Sequence, residues 1–150
     1  MSQVKSKNKS TDMLELATFY VGDALCGIDI LNIQEINKQT EVTVVPQSAD
    51  YVKGVLNLRG KIVSVIDLGQ KIGLSPINFH KDNRNIIVNS HDEHIGLLVD
   101  RISDVMVADP AGIEKPPANI GGIQGRFFEG VFKTDRSLIG ILDIEEVLKD

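Results

Sequence analysis

Gly54-Val55-Leu56-Asn57-Leu58-Arg59-Gly60-Lys61-Ile62-Val63-Ser64-Val65-Ile66-Asp67-Leu68 decides the reading of this chain. Two apolar runs rich in β-branched residues flank Arg59-Gly60, the pattern of paired strands joined by a tight turn. Asn57 and Gly60 are the residue types that serve such a turn. A related pattern returns near the C-terminus as Gly130-Val131-Phe132-Lys133 and Leu138-Ile139-Gly140-Ile141-Leu142-Asp143-Ile144. The leading glycine and the closing aspartate recur at one offset of 76 residues, 54 to 130 and 67 to 143. Gly27 through Ile36 aligns in the same way with Gly96 through Val105, at an offset of 69. The difference falls in the Pro/Gly-rich stretch from Pro110 to Gly125, where insertion costs little. One plan used twice is therefore expected, over about 27–68 and 96–144, within a single domain spanning 14–150.

The rest of the chain extends this pattern. Leu14 to Val21 and Ala24 to Ile28 read as a hairpin around Gly22-Asp23. Asp29 to Ile36 has isoleucines three apart and predicts a short helical turn capped by Asp29. Glu41 to Val45 is strand-like and stops at Pro46. Arg84 to Asn89 and His94 to Asp100 form another hairpin, Val105 to Ala108 a short strand, and Pro110 to Gly125 a long loop. Phe127 to Lys133 pairs with Leu138 to Asp143, and Ile144 to Lys149 closes the chain as a short helix. Short strands with frequent turns and no strand–helix alternation indicate a mainly β fold, a sandwich or barrels. The polar stretch at the N-terminus, through residue 13, is expected to be a disordered tail.

Composition narrows the function. The 150 residues carry a net charge of −5, against nucleic acid as the main ligand, since phosphate neutralisation needs clustered Lys and Arg. A small nucleic-acid-binding barrel would contend with that charge. The single cysteine, Cys26, excludes an internal disulfide and sits in an apolar strand as a small hydrophobe. No apolar run is long enough to cross a bilayer, and the N-terminus lacks the apolar core of a signal peptide, so a cytoplasmic location without membrane insertion is expected.

Motifs that could carry chemistry are weak. Asp67 and Asp143 each precede a Gln or Glu by three residues, the signature of helix caps rather than of a catalytic pair. Gly54 to Lys61 has one residue too many for a phosphate loop, and Ile62 stands where a magnesium-binding hydroxyl belongs. Gly122-Ile123-Gln124-Gly125 resembles an RNA-clamping GxxG turn but lacks flanking helices. His91 and His94 are spaced like metal ligands, with no third histidine or cysteine near them in sequence. His80 is a lone loop residue. No nucleophile, base and orienting group form a trio. No metal, cofactor or enzymatic activity is expected. Arg59 is the strongest candidate site. The related position is Asp135, so the scaffold does not require an arginine, which leaves an exposed turn cation with no role, pairing with Glu35, recognition of a partner carboxylate, or the last two together. Val63 and Val65 share one face of their strand and Ile62 and Ile66 the other, so that strand is expected to be covered on both sides.

Tyr51-Val52-Lys53-Gly54-Val55, Asn57-Leu58-Arg59-Gly60 and Val65-Ile66-Asp67-Leu68, preceded by Gly27-Ile28-Asp29-Ile30 and Gln34-Glu35-Ile36, closely resemble the CheW-like chemotaxis coupling family. The similarity runs from about Leu14 to Lys149. It implies two packed five-stranded SH3-like β-barrels with short helices, interleaved in sequence, and a C-terminal helix. It implies an adaptor that joins the regulatory domain of a chemotaxis histidine kinase to the cytoplasmic tip of membrane chemoreceptors, with a groove between the barrels for the receptor's helical hairpin. The positions matching the family's partner-sensitive residues are Ile33, Glu35, Gly54, Arg59, Gly60, Gly96 and Ile102. An adaptor of similar build serving another histidine-kinase pathway, such as surface motility or biofilm control, is the alternative. Ser64 departs from the proline that many relatives carry there.

Overall fold

The computed structural model describes residues 12–149. The tail expected through residue 13 therefore lies, up to residue 11, outside the described residues. The chain is mainly β, in two sheets. Strand β1 (Leu14–Val21) and β2 (Ala24–Asp29) form the first hairpin, and β3 (Ile33–Asn37) follows a single 3-10 turn at Ile30–Asn32. Next come β4 (Val52–Leu58), β5 (Lys61–Asp67) and the four-residue helix α1 (Leu68–Lys71). A second hairpin, β6 (Arg84–Ser90) and β7 (Glu93–Val99), leads into β8 (Arg101–Ala108). After the short β9 (Ile113–Glu114), β12 (Phe128–Lys133) and β13 (Leu138–Leu142) precede α2 (Ile144–Leu148). Between β9 and β12 lie β10 (Asn119–Ile120) and β11 (Ile123–Gln124), a small ribbon of their own.

One sheet runs β3-β6-β7-β5-β4 and the other β8-β1-β2-β13-β12-β9. The first takes all its strands from residues 33–99, and the second joins strands from the beginning and the end of the described residues. The offsets read from sequence carry one set of pairs onto the other. Val65 pairs with Gly96 across parallel β5 and β7, and Ile141 pairs with Gly27 across parallel β13 and β2. Ile33 faces Val88 in one sheet, and Ile102 faces Phe19 in the other. Bulges fall after Val52 and after Phe128, and the Asp67 N–H donates to the Tyr51 carbonyl as that of Asp143 does to Phe127.

Alternation along the strands sorts side chains into three cores. Ile66, Ile86, Val88, Leu97 and Val99 of one sheet meet Phe19, Cys26, Ile28, Val131 and Leu142 of the other in a large core between them. Opposite faces of the same strands make a small core within each sheet: Leu56, Val63, Val65, Ile87 and Leu98 in one, and Leu16, Ala108 and Ile141 in the other. Strand β5 feeds two of these cores. Its cover fails only at the turn end, where Ile62 is 60% exposed.

Four local expectations need correction. The helical turn over Asp29–Ile36 stops at Asn32, although Asp29 caps it as anticipated, accepting from the Leu31 N–H. Ile33–Asn37 is a strand because its ladder to β6 satisfies the backbone. Ile36, counted on the apolar helical face, is exposed. Glu41–Val45 is no strand. Only Thr43 bridges, to Val55. Strand β8 begins at Arg101, four residues before the predicted start, because its whole length pairs with β1. The Pro110–Gly125 loop holds one 3-10 turn, the start of another and short strands, of which β9 adds a sixth strand where five were expected.

Candidate functional site

Asn57, Arg59 and Gly60 build the site from the turn upward. Arg59 (φ 52) and Gly60 (φ 84) both have left-handed backbones, the geometry of a two-residue type I′ hairpin. The Gly60 N–H donates to Asn57 Oδ1 at 2.9 Å and locks the turn. Glycine takes this backbone freely. An arginine in it costs about 1 kcal/mol. Observed strain of this kind clusters at functional positions.

The Arg59 guanidinium is not loose. Its Nη2 donates to Glu35 Oε1 on β3, tying the β4–β5 turn to the opposite edge of the sheet. Asn37 Nδ2 donates to the second carboxylate oxygen at 3.0 Å. The hydrogen bond from Asn37 and then the one from Arg59 hold the Glu35 carboxyl below its ordinary range. Glu35 is thus a carboxylate at neutral pH. The Arg59 side chain stays 70% exposed, so the pair orients the fork without hiding it. An exposed pair of this kind does little for stability.

Beneath the pair is a pocket of about 390 Å³. Leu58, Val63 and Ile87 form its apolar side, at the open end of the sheet's own small core. Gln34, Glu35, Arg59, Lys61 and His94 form its polar rim, and His94 Nδ1 lies 2.8 Å from Gln34 Oε1. A second pocket, of about 640 Å³, shares Gln34 with it and is lined also by Glu129 and, at the start of α2, Glu145. Glu129 is pushed above its ordinary range by burial, then by Asp143 and Asp29.

These strand orders and this turn can be placed among known proteins. A family model described as a CheW-like domain matches residues 15–150. The chain belongs to the CheW-like family. The chemotaxis protein CheW of Helicobacter pylori is 34% identical over 138 residues, 92% of this chain and 83% of that one. Its counterpart in Treponema pallidum is 31% identical over 140 residues, 91% of this chain and 82% of that one. The crystal structure of the scaffolding protein TtCheW from Thermoanaerobacter tengcongensis superposes with a TM-score of 0.84 at 33% identity, covering 92% of this chain and 94% of that one.

In this CheW-like chain the singled-out residues fall into three groups. Glu35, Arg59 and Gly60 meet at the turn. Gly54 and Gly96 lie deeper in the same sheet. A Cβ on Gly54 would strike the Thr43 backbone, and one on Gly96 would crowd Val63, Val65 and Ile87. Ile33 and Ile102 sit on different sheets, half-buried and packed against the large core. Ile102 is therefore not brought to the Arg59 pocket. Sequence reasoning missed Leu58, Lys61, Ile87 and His94 as one site, because strand pairing rather than spacing assembles them.

The other candidates settle into the scaffold. Asp67 Oδ1 accepts from the Gln70 N–H and Oδ2 from the Ile77 N–H, and Asp143 caps Glu146, so both aspartates are helix caps. The reciprocal half of the capping box is absent at Glu146, whose carboxylate takes Arg126 and Lys149. Burial pushes the Cys26 thiol up to about 12, which removes it as a nucleophile at neutral pH. His91 and Asp92 form a left-handed hairpin tip. Among the described residues no three His, Cys, Asp or Glu side chains are placed to hold a metal. No helix among them is long and apolar enough to cross a membrane.

Proposed function

We propose that this chain is a non-enzymatic cytoplasmic adaptor that couples membrane chemoreceptors to a chemotaxis histidine kinase through the kinase's regulatory domain. The observation that carries the reading is Arg59, exposed, held in a strained turn, and fixed in direction by Glu35 above a pocket of about 390 Å³. A pre-set guanidinium fork loses little freedom on meeting a carboxylate, so it serves recognition better than it serves stability. Glu35, Arg59 and Gly60 meet a partner directly. Gly54 and Gly96 hold the hairpin that presents them, and Ile33 and Ile102 act through the packing of the two sheets. The larger pocket of about 640 Å³, with Leu31 88% exposed at its edge, is where a helix of a receptor tip would lie.

Reconstitution tests the reading. Vesicles bearing receptor and kinase are expected to show attractant-controlled phosphorylation only when this chain is added. Kinase activity equally controlled without it, or unresponsive with it, would reject the adaptor role.

A further inference from the structure

The larger pocket, of about 640 Å³, carries an excess of one sign. Glu129, Asp143 and Glu145 line it, and no Lys or Arg does. Asp29 stands close enough to act on Glu129, which is held above its ordinary range by burial, then by Asp143, then by Asp29. None of these four acids has an ion-pair partner among the described residues, and the cations that reach α2, Arg126 and Lys149, go to Glu146 instead. The acids are spread rather than gathered. No three His, Cys, Asp or Glu side chains among the described residues are placed to hold a metal. A run of cationic side chains fits such a row better than one ion does.

Strand pairing sets out the row. Leu16 of β1 pairs with Asp29 of β2, the parallel pairing of Gly140 with Cys26 brings Asp143 level with Asp29, and Phe128, beside Glu129, pairs with Leu142. Asp29, Asp143 and Glu129 therefore stand on or just past three consecutive strands, at the end of the sheet where β1 begins. At about 4.8 Å per strand the row ends about 14 Å from β1. The chain before β1 is of the opposite sign. Residues 1–11 carry Lys5, Lys7 and Lys9 and no acid, although the whole chain has a net charge of −5. Four residues, from Met13 back to Lys9, span up to about 13 Å, and eleven span up to about 36 Å, so the lysines have the length to reach the row. In an extended course alternate residues share a side, so lysines two apart point the same way.

We propose that residues 1–11 lie across this pocket with Lys5, Lys7 and Lys9 against its carboxylates, and that the segment competes there with a receptor tip. The docking needs no partner; the competition rests on the adaptor reading above. The segment enters beside the rim, because Leu14 leads into β1 next to the turn at Ile30–Asn32, and Leu31 and Asn32 of that turn line the pocket. A tethered segment is present at high effective concentration, so contacts between exposed charges, each weak, hold it part of the time. A receptor helix that binds the open pocket then pays for displacing it through a lower apparent affinity.

The test places a nitroxide spin label on Ser6→Cys in the full-length chain, whose native Cys26 is buried, and reads the broadening of backbone amides by NMR. A segment that is only tethered at β1 would broaden both sides alike, β8 on one and the acidic row on the other. The amides of Glu129 and Glu145 are expected to broaden more strongly than that of Val107. The asymmetry should vanish when Lys5→Glu, Lys7→Glu and Lys9→Glu are combined, and in wild type at 1 M salt, where charges act only within about 3 Å. Without the label, the triple variant and the chain lacking residues 2–11 should each bind a receptor tip fragment about threefold more tightly than wild type. Equal broadening on both sides, or an asymmetry that survives the triple variant, overturns the docking. Asymmetry with unchanged receptor affinity overturns the competition. If no form binds the receptor tip, the adaptor reading falls, while the broadening still decides where the segment lies.

Discussion

Gly54→Ala is expected to destabilise the chain by about 3 kcal/mol, moving the urea midpoint down by about 1.5 M. Gly54 sits in β4 with φ at 147, a backbone that L side chains rarely adopt. Space is the harder limit. A Cβ there would lie 2.3 Å from the Thr43 carbonyl oxygen and 2.8 Å from its carbon. Those atoms are backbone and cannot swing away as a side-chain tip would. Thr43 and Val55 exchange both of their backbone hydrogen bonds, at 2.8 and 2.9 Å, and relief of the clash breaks that pair. Gly60→Ala is the matching control. Its φ is also positive, but nothing lies within 4 Å of the added carbon, so it should cost only about 1 kcal/mol. Equal midpoints for the two variants would show that the Thr43 contact does not hold the hairpin.

Arg59→Glu is expected to leave the fold in place and remove about 100-fold of affinity for the regulatory domain. The side chain is largely exposed, and the pair it makes with Glu35 is solvated, so the thermal midpoint should stay within about 2 °C of wild type. Recognition is another matter. Reversal places a carboxylate opposite Glu35, loses the fork, and repels the partner acid that the rim attracts. Arg59→Gly sharpens the test. It removes the same guanidinium while relieving a left-handed backbone, so it should be at least as stable as wild type and still bind poorly. Retained affinity in both variants would assign Arg59 to the turn alone.

Much of the fold was legible because its turns carry explicit residue signals. Gly22-Asp23, Arg59-Gly60 and the residues after Ser90 each stand where a hairpin turns, and the strands on either side follow within a residue or two. Ile30, Ile33 and Ile36 misled because three isoleucines spaced by three satisfy a helical period by coincidence. Tertiary pairing with β6 overrode it, as β-branched residues readily allow. Strand β8 was shortened for a related reason. Its residues Arg101, Ser103 and Asp104 are poor strand signals, and only the long ladder to β1 explains them.

At the site, Arg59 and Glu35 were legible as a candidate pair, and the structure joins them. The pocket was not. Leu58, Val63, Ile87 and His94 lie on four strands, brought together partly by the parallel pairing of β5 with β7, which leaves no local trace in sequence.

The central claim is that this chain bridges two proteins and makes no bond of its own. Immobilised receptor tip fragment, exposed to the kinase regulatory domain with and without the full-length chain, tests it most directly. Retention of the regulatory domain only when the chain is present, and its loss with Arg59→Glu, is the result the account predicts. Equal retention without the chain, or none with it, would contradict the account.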